Sequence, residues 1–381
     1  MKPSRVQESG KKVIGVNNNG LIVVIGAGPA GLSAAIEAAK VGAKVIVIDE
    51  NEKPGGQLFK QIHKFFGSKE HKAGTRGIEI GVQLLEETAK LNIEVWLNTE
   101  VCGIENNREI WVIRDKKQSV SLKADKIILA TGAIENAVVF PGWTLPGVVG
   151  AGAAQTMINI SRVLPGKKVL MLGSGNVGVI VSYQLLQAGA EVVAIVEASP
   201  RLGGYGVHTA KVCRAGVPFY TSHTISKVIG ETKVEAAEIV KLDGNWKPIP
   251  GTEKVLEVDT VCLATGLNPL TELAWIAGCK FHYIPELGGH LPIHNRAMET
   301  TVEGIYVAGD ISGIEEASTA MEEGRLAGIN GAASLGLIEE IEREKLTQEV
   351  WDRLDALRCG QFGQKRKDAK DRLLAVEKEV V

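Results

Sequence analysis

The chain has 381 residues, 45% of them hydrophobic and 23% charged, with a net charge of −2 at pH 7. That length allows two domains of ordinary size, each with its own core. The near-neutral charge gives no electrostatic reason to expect a nucleic acid or an anionic membrane as partner.

In chain order, residues 1–19 are polar and unpatterned and read as a loose leader without the apolar core of a signal peptide. No apolar run approaches the roughly 20 residues of a membrane span, so the expected location is the cytoplasm. Leu21 to Glu50 (LIVVIGAGPAGLSAAIEAAKVGAKVIVIDE) is an apolar run, a glycine turn, an alanine-rich helix and a second apolar run with an acidic end. That pattern predicts a βαβ unit. Residues 59–75 mix aromatic and basic side chains without a period and read as a loop near a ligand. His63, His71, Lys60 and Lys64 are expected to form a solvated basic surface there. A helix is predicted over Ile78–Leu91, followed by short β runs that form a meander and return to the main sheet at ILATGA. FPGWTLPG (Phe140 to Gly147) reads as the punctuation between two domains, with Trp143 as a packing anchor. A second βαβ unit runs from Lys168 to Glu197, and its domain ends near VDTVCLATGLNP, Val258 to Pro269. From residue 337 onward the chain is charged and helical by pattern. Its apolar positions are sparse, as on a solvated face or a partner-binding helix.

In the first unit Gly26, Gly28 and Gly31 make G-x-G-x-x-G between a strand and a helix. The first glycine permits the tight turn, the second lets the backbone approach a pyrophosphate, and the third lets helix and strand pack closely. Pro29 and Ala30 open the helix, whose N-terminal amides and dipole favour a phosphate. Asp49, at the end of the second strand, is a candidate acceptor for ribose hydroxyls, with Glu50 as its neighbour. The second unit has Gly173, Gly175 and Gly178, with Asn176 and Val177 between them, and Glu197 at the end of its next strand. An acid at that position would repel the 2′-phosphate of NADP and suit NAD, although Arg201 lies close enough to complicate the preference. The alternative is a relic unit whose glycines serve packing alone.

Cys102, Cys213, Cys262, Cys279 and Cys359 are isolated from one another, so neither a dithiol redox centre nor a zinc site has its usual spacing. Cys262 lies in an apolar strand pattern and is expected in the core. His290 and His294 are separated by Pro292, which argues against two ligands on one helix face. No metal is expected, and no side chain is assigned as catalytic.

Over residues 21–336 the chain resembles the two-dinucleotide-binding-domain flavoproteins, the pyridine nucleotide–disulfide oxidoreductase superfamily of thioredoxin reductase-like size. The resemblance rests on GAGPAG, on GGQ at Gly55 to Gln57, and on ILATGA at Ile128 to Ala133. It rests also on LATG at Leu263 to Gly266 and on TTVEGIYVAGD at Thr300 to Asp310. It implies an α/β fold of two Rossmann-like domains, each a three-layer ββα sandwich. Residues 20–145 and 270–336 would form a discontinuous FAD-binding domain, 146–269 an NAD-binding-like domain, and 337–381 a charged helical tail. Carried onto this chain, Asp310 beside Gly309 would bond the ribityl chain of FAD. Gly56, Gln57 and Leu58 would line the flavin, Ala130, Thr131 and Gly132 would meet FAD from the crossover strand, and Val101 would add a contact. NAD(H) would occupy the second domain, near Gly266.

Two stretches, Phe140 to Ile158 and Gly304 to Gly328, resemble more narrowly the FAD-type α subunits of dye-linked proline or hydroxyproline dehydrogenases, opine oxidases and hydrogen cyanide synthase. That likeness implies a companion flavoprotein subunit oxidising an amino or imino acid, with hydride exchanged between NAD(H) and the flavin. Several such subunits end in a cysteine-rich [2Fe–2S] segment, which needs four cysteine ligands. This tail has Cys359 alone, so any cluster would belong to a separate iron–sulfur protein. A homo-oligomer is compatible with the same reading. Three functions stay open: an FAD subunit linking NAD(H) to a partner dehydrogenase, a free-standing NADH:acceptor reductase or oxidase, and a non-catalytic partner subunit with an empty or regulatory nucleotide site.

Overall fold

The computed structural model describes residues 20–65 and 68–380, so the leader expected over 1–19 lies outside the described residues. The chain divides into two units. One comprises the residues up to Phe59, Lys64–Ala133 and everything from Pro269; the other comprises Lys60–His63 and Ile134–Asn268.

The first unit is built on a parallel sheet of five strands, in the order Ile305–Val307, Lys126–Leu129, Leu21–Ile25, Lys44–Ile48 and Glu94–Trp96. The central strand LIVVI is buried throughout, as a parallel strand covered on both faces must be. Its alternation assigns the faces. Ile22 and Val24 pack with Leu32, Ile36, Leu326 and Ile329 of helices Pro29–Lys40 and Ala317–Ala333. Leu21, Val23 and Ile25 pack with Ile110, Val112, Val120 and Leu122 of an antiparallel meander, Thr99–Ile104, Glu109–Arg114 and Gln118–Lys123. Each such aliphatic side chain contributes about 1.5–3 kcal/mol by leaving water. The two helices also approach very closely. A Cβ on Gly324 or Gly328 would lie 2.1 or 2.3 Å from the carbonyl oxygens of Ala30 and Ala34. Those glycines hold the late segment of the chain against the first glycine-loop helix.

The second unit repeats the three layers. Its parallel sheet runs Phe219–Thr221, Glu191–Glu197, Lys168–Leu172, Thr260–Leu263 and Val148–Gly150. Val169 and Met171 pack with Val179 and Leu185 of helix Asn176–Gln187. Leu170 and Leu172 pack with Ile225 and Ile239 of the antiparallel strands His223–Ile229 and Ala236–Lys241, which pair on with Lys254–Glu257. One difference separates the sheets: the edge strand Val148–Gly150 precedes its glycine loop in sequence, whereas Ile305–Val307 follows its own.

Several expectations need correction. The change of unit falls at Ala133/Ile134, ahead of the proline–glycine stretch, and Trp143 within that stretch is 40% exposed and anchors little. The segment after GGQ is more than a solvated loop. It begins as a 3-10 turn, Gly56–Lys60, and His71 is 4% exposed, accepting or donating at Nδ1 with Ser68 Oγ at 2.9 Å. The tail departs most. Its helices, Glu340–Leu357 and Gly360–Val380, belong to the first unit. Several of their few apolar residues turn inward. Val350, Trp351 and Leu354 join the core of the first glycine-loop helix, and Ala369 and Leu373 close a small core with Ile284, Leu287, Leu291 and Ile293. Trp351 Nε1 donates to Arg296 O at 3.2 Å, and the Arg296 guanidinium stacks 4.1 Å from the indole. The pattern read as solvated because Arg358 and Lys370, two of its charges, are buried as well.

Among the described residues no helix is long and apolar enough to cross a membrane, and no cluster of His, Cys, Asp or Glu could hold a metal ion. His290 and His294 lie on and just after the strand Gly289–Pro292, one exposed and the other 2% exposed.

Candidate functional site

In the first unit Gly26 turns the chain off the central strand, with φ +107° and its N–H donated to Ile48 O at 2.8 Å. A Cβ on Gly31 would lie 1.8 Å from Gly26 O, so the helix touches the turn where only glycine fits. Gly28, the helix N-cap, is the reverse case: apart from its chain neighbours, no atom of the described residues lies within 4 Å of its Cβ position. Pro29 fills the first helical position, where a missing N–H costs nothing. The amides of Ala30 and Gly31 follow, in the turn whose N–H groups have no partner within the helix. An open backbone face beside such amides is what a pyrophosphate requires.

Three further segments converge on this loop. Gly55 N donates to Ala27 O at 2.7 Å, and the Cβ position of Gly56 is 2.9 Å from Gly28 Cα. Gln57 is exposed, whereas Leu58 is fully buried and can offer a ligand only main chain. The Ala130 carbonyl abuts Gly26; next to it Thr131 Oγ1 donates to Leu270 O at 2.6 Å, and Gly132 O accepts from Leu270 N at 3.0 Å. The 3-10 turn Gly309–Ser312 arrives from the other end of the chain, the Cβ position of Gly309 lying 2.9 Å from Ala30 Cβ. All of them meet at the carboxyl ends of the parallel strands, where open α/β sheets bind ligands. Beyond Asp49 a cavity of about 520 Å³ is lined by Glu50, Asn51, Asn98, Glu100, Ile113 and Asp115, along the strand that carries Val101.

Asp49 takes a role that its spacing did not reveal. It is 9% exposed, with Oδ2 accepting from Ala27 N at 2.7 Å and Oδ1 from Asn51 N and Nδ2 at 2.8 and 2.9 Å. Its carboxylate braces the glycine loop, and Glu50 is one of the acids that line the cavity, with Glu100 and Asp115.

The second unit uses the same device. Gly173 N donates to Val196 O at 2.7 Å, and a Cβ on Gly178 would lie 2.1 Å from Gly173 O. Gly175 caps its helix and, like Gly28, has open space before it. Glu197 Oε2 accepts from Ser174 N at 2.9 Å and Ser174 Oγ at 2.6 Å, while Oε1 accepts from Ser199 N at 2.8 Å. Ser174 Oγ also accepts from Gly203 N at 3.0 Å, and Asn176 Oδ1 from Tyr205 N at 2.8 Å. Asn176 therefore holds the following turn, whereas Val177 is 41% exposed. Gly266 follows the crossover strand and accepts at its carbonyl from Asn136 N at 3.0 Å. Ser174 and Asn51 went unnoticed in the sequence. Each acid meets an amide two residues on and one inside its glycine loop, and these are backbone donors that leave no mark in the pattern of side chains.

Burial shifts other titratable groups as well. Burial lowers Lys60, whose Nζ donates to Gly152 O at 3.3 Å. Burial, with His208 and Lys211 nearby, holds His63 down to about 4. Glu135 accepts from Gly152 N at 2.6 Å and Ala153 N at 3.2 Å. None of the five cysteines is in a disulfide, and burial pushes the Cys262 thiol up to about 12.

Residues 21–324 match the model of the pyridine nucleotide-disulphide oxidoreductase family, and the chain belongs to that family. One opine oxidase subunit, from Agrobacterium tumefaciens (strain Ach5), is 30% identical over 342 residues, which are 83% of this chain and 66% of that protein. Hydrogen cyanide synthase subunit HcnB of Pseudomonas aeruginosa is 26% identical over 370 residues, 90% of this chain and 77% of that one. Thioredoxin reductase of T. acidophilum shares the fold with a TM-score of 0.67 at 20% identity, covering 82% of this chain and 97% of its own. L-proline dehydrogenase from P. horikoshii does so with 0.66 at 22%, covering 90% and 60%. The chain thus spans less than two thirds of the length of two of the opine oxidase subunits it matches, 66% and 63%. It belongs to an oxidoreductase family of the flavoprotein class, and its two Rossmann-like units share the thioredoxin reductase-like fold.

Proposed function

We propose that the chain is the electron-transferring FAD subunit of an amino- or imino-acid dehydrogenase, passing electrons between NAD(H) and a companion flavoprotein or other external acceptor. The observation that carries this reading is the duplication. Each unit builds one glycine loop at the carboxyl ends of a parallel sheet and braces it with the acid that ends the next strand. Two such loops suit one flavin and one nicotinamide nucleotide. No C-x-x-C pair occurs among the cysteines, so electrons leaving the flavin would go to an outside acceptor.

Bound FAD would supply a two-electron centre able to exchange hydride with a nicotinamide. The chain's own part is binding and orientation. Gly28 and the amides of Ala30 and Gly31 would hold the pyrophosphate, Glu50 the ribose at the mouth of the cavity, and Asp310 the ribityl hydroxyls. Gly175, with the amides of the helix after it, would hold the pyrophosphate of NAD(H), and the charge of Glu197 would disfavour a 2′-phosphate. The subunit names of the relatives support a companion chain.

The test is anaerobic steady-state reduction of a dye by the purified chain. NADH should drive it far better than NADPH, and activity should vanish when the flavin is stripped and return with FAD. A chain that keeps its FAD yet reduces no dye with either nucleotide would reject the NAD(H) half of the reading.

A further inference from the structure

We propose that the two C-terminal helices form an internal clamp on the flavin site, in which Lys370 and Arg358 are positioning residues for the Gly309–Asp310 turn. The proposal rests on the reading that the first unit holds FAD. The clamp works through Glu323, on helix Ala317–Ala333. Its Oε2 accepts from Gly309 N at 3.1 Å and from Ser312 Oγ at 2.7 Å, the two ends of the turn that carries Asp310. Its Oε1 accepts from Lys370 Nζ at 2.7 Å and from an Arg358 terminal nitrogen at 2.6 Å. Lys370 reaches the turn directly as well, donating to Ser312 O at 2.9 Å and bonding Ser312 Oγ at 3.0 Å. Arg358 is tied in turn to both oxygens of Glu315, at 2.5 to 3.1 Å.

The four charged side chains are only 3–4% exposed, and they balance as two acids and two bases. A buried ion set of this kind punishes the loss of one member, because the partner is left charged and dry. Without Lys370, Glu323 would have less reason to remain where it holds Gly309 N, and the turn would lose its anchor at Ser312 O. The turn has little other freedom on its far side, where Gly309 lies against Ala30 at the mouth of the glycine loop. A segment that looks like a solvated appendage in sequence therefore fixes the distance between the two halves of one cofactor site.

The experiment uses the full chain and the variant Lys370→Met, which keeps the aliphatic stem. FAD affinity should weaken by about tenfold or more, equivalent to 1.4 kcal/mol per decade. The apo variant should keep its far-UV spectrum. Its pH profile should move as well. Asp310 faces Glu323 and Glu315, which oppose its ionisation, and Lys370 and a Glu315 backbone hydrogen bond, which favour it. Removing Lys370 should shift the midpoint of pH-dependent FAD binding upward, which a merely structural role would not do. Lys367→Met, breaking an exposed pair with Asp355 on the neighbouring helix, should change neither. Should Lys370→Met not fold, hydrogen exchange on the unaltered chain decides. Coupling is reciprocal, so FAD must slow exchange both at 309–313 and around 358–370. Unchanged affinity and profile in K370M, or protection of the turn without the tail, overturns the clamp. An unaltered chain that binds no FAD rejects the underlying reading before any variant is made.

Discussion

Replacing Glu197 by alanine separates a brace from a ligand. If the side chain served only a ribose, the nucleotide-free protein would not miss it. In the structure its carboxylate holds three donors, Ser174 N, Ser174 Oγ and Ser199 N, and so joins the glycine loop to the end of its strand. Hydrogen bonds to a charged group are worth about 1.5–3 kcal/mol each, and removing the acceptor strands the donors. The site is only partly buried, so water will satisfy some of them, and one shared serine contributes two of the three. A net loss of about 2–4 kcal/mol follows. For a unit of this size each kcal/mol moves the midpoint by about 3 °C, giving roughly 6–12 °C. Thermal unfolding of the apo protein, followed with and without added NAD, measures it. An apo midpoint that stays within a degree or two while NAD binding disappears would refute the brace and restore the ribose-only role.

Three further outcomes are expected. Burial, with Glu323 and Glu315 nearby, lifts Asp310 to about 6 from 3.8. Its folded value lies above the unfolded one, so protonation favours the apo fold. That contribution, roughly 3 kcal/mol at 1.36 per unit, is present below the unfolded value and lost as pH rises through about 6. A ribityl chain that donates to the carboxylate has the opposite preference, so FAD affinity should fall as pH drops below about 6 and Asp310→Asn should flatten the profile in equilibrium titrations. Trp351→Ala should cost about 3–5 kcal/mol in denaturant unfolding, against at most about 0.5 for a truly solvated tail. Changing the exposed Cys102, Cys213 and Cys359 to serine together should leave NADH-driven flavin reduction unaltered in stopped-flow traces; a tenfold slowing would put a thiol back in the path.

The layers of both units were legible in the sequence because few alternatives satisfy the pattern. LIVVI and KVLML alternate between two buried faces, and a glycine between strand and helix leaves only a close approach or a turn. The return of the late segment to the first unit was legible only through the family resemblance of the stretch ending in Gly309 and Asp310, since a G-D pair by itself is an ordinary turn. The work of Asp49 and Glu197 was hidden for a different reason. Their spacing fits a ribose acceptor and a loop brace equally, and what decides is a backbone N–H at Ala27 or Ser174 that no side-chain pattern records. The tail was misread because charge says nothing of where its partner lies. Arg358 finds Glu323 and Glu315 at 35 and 43 residues' distance, and Lys370 finds Ser312 at 58. A residue-type count assigns such charges to solvent, while the fold neutralises them in the dry.

Two nucleotide sites in one chain that exchange electrons without a thiol require the nicotinamide to reduce the flavin directly. Anaerobic titration of the purified protein with NADH, following the flavin absorbance with no acceptor present, tests it most directly. Bleaching should be complete at one NADH per flavin, with NADPH far less effective. A flavin that stays oxidised under both nucleotides would contradict it.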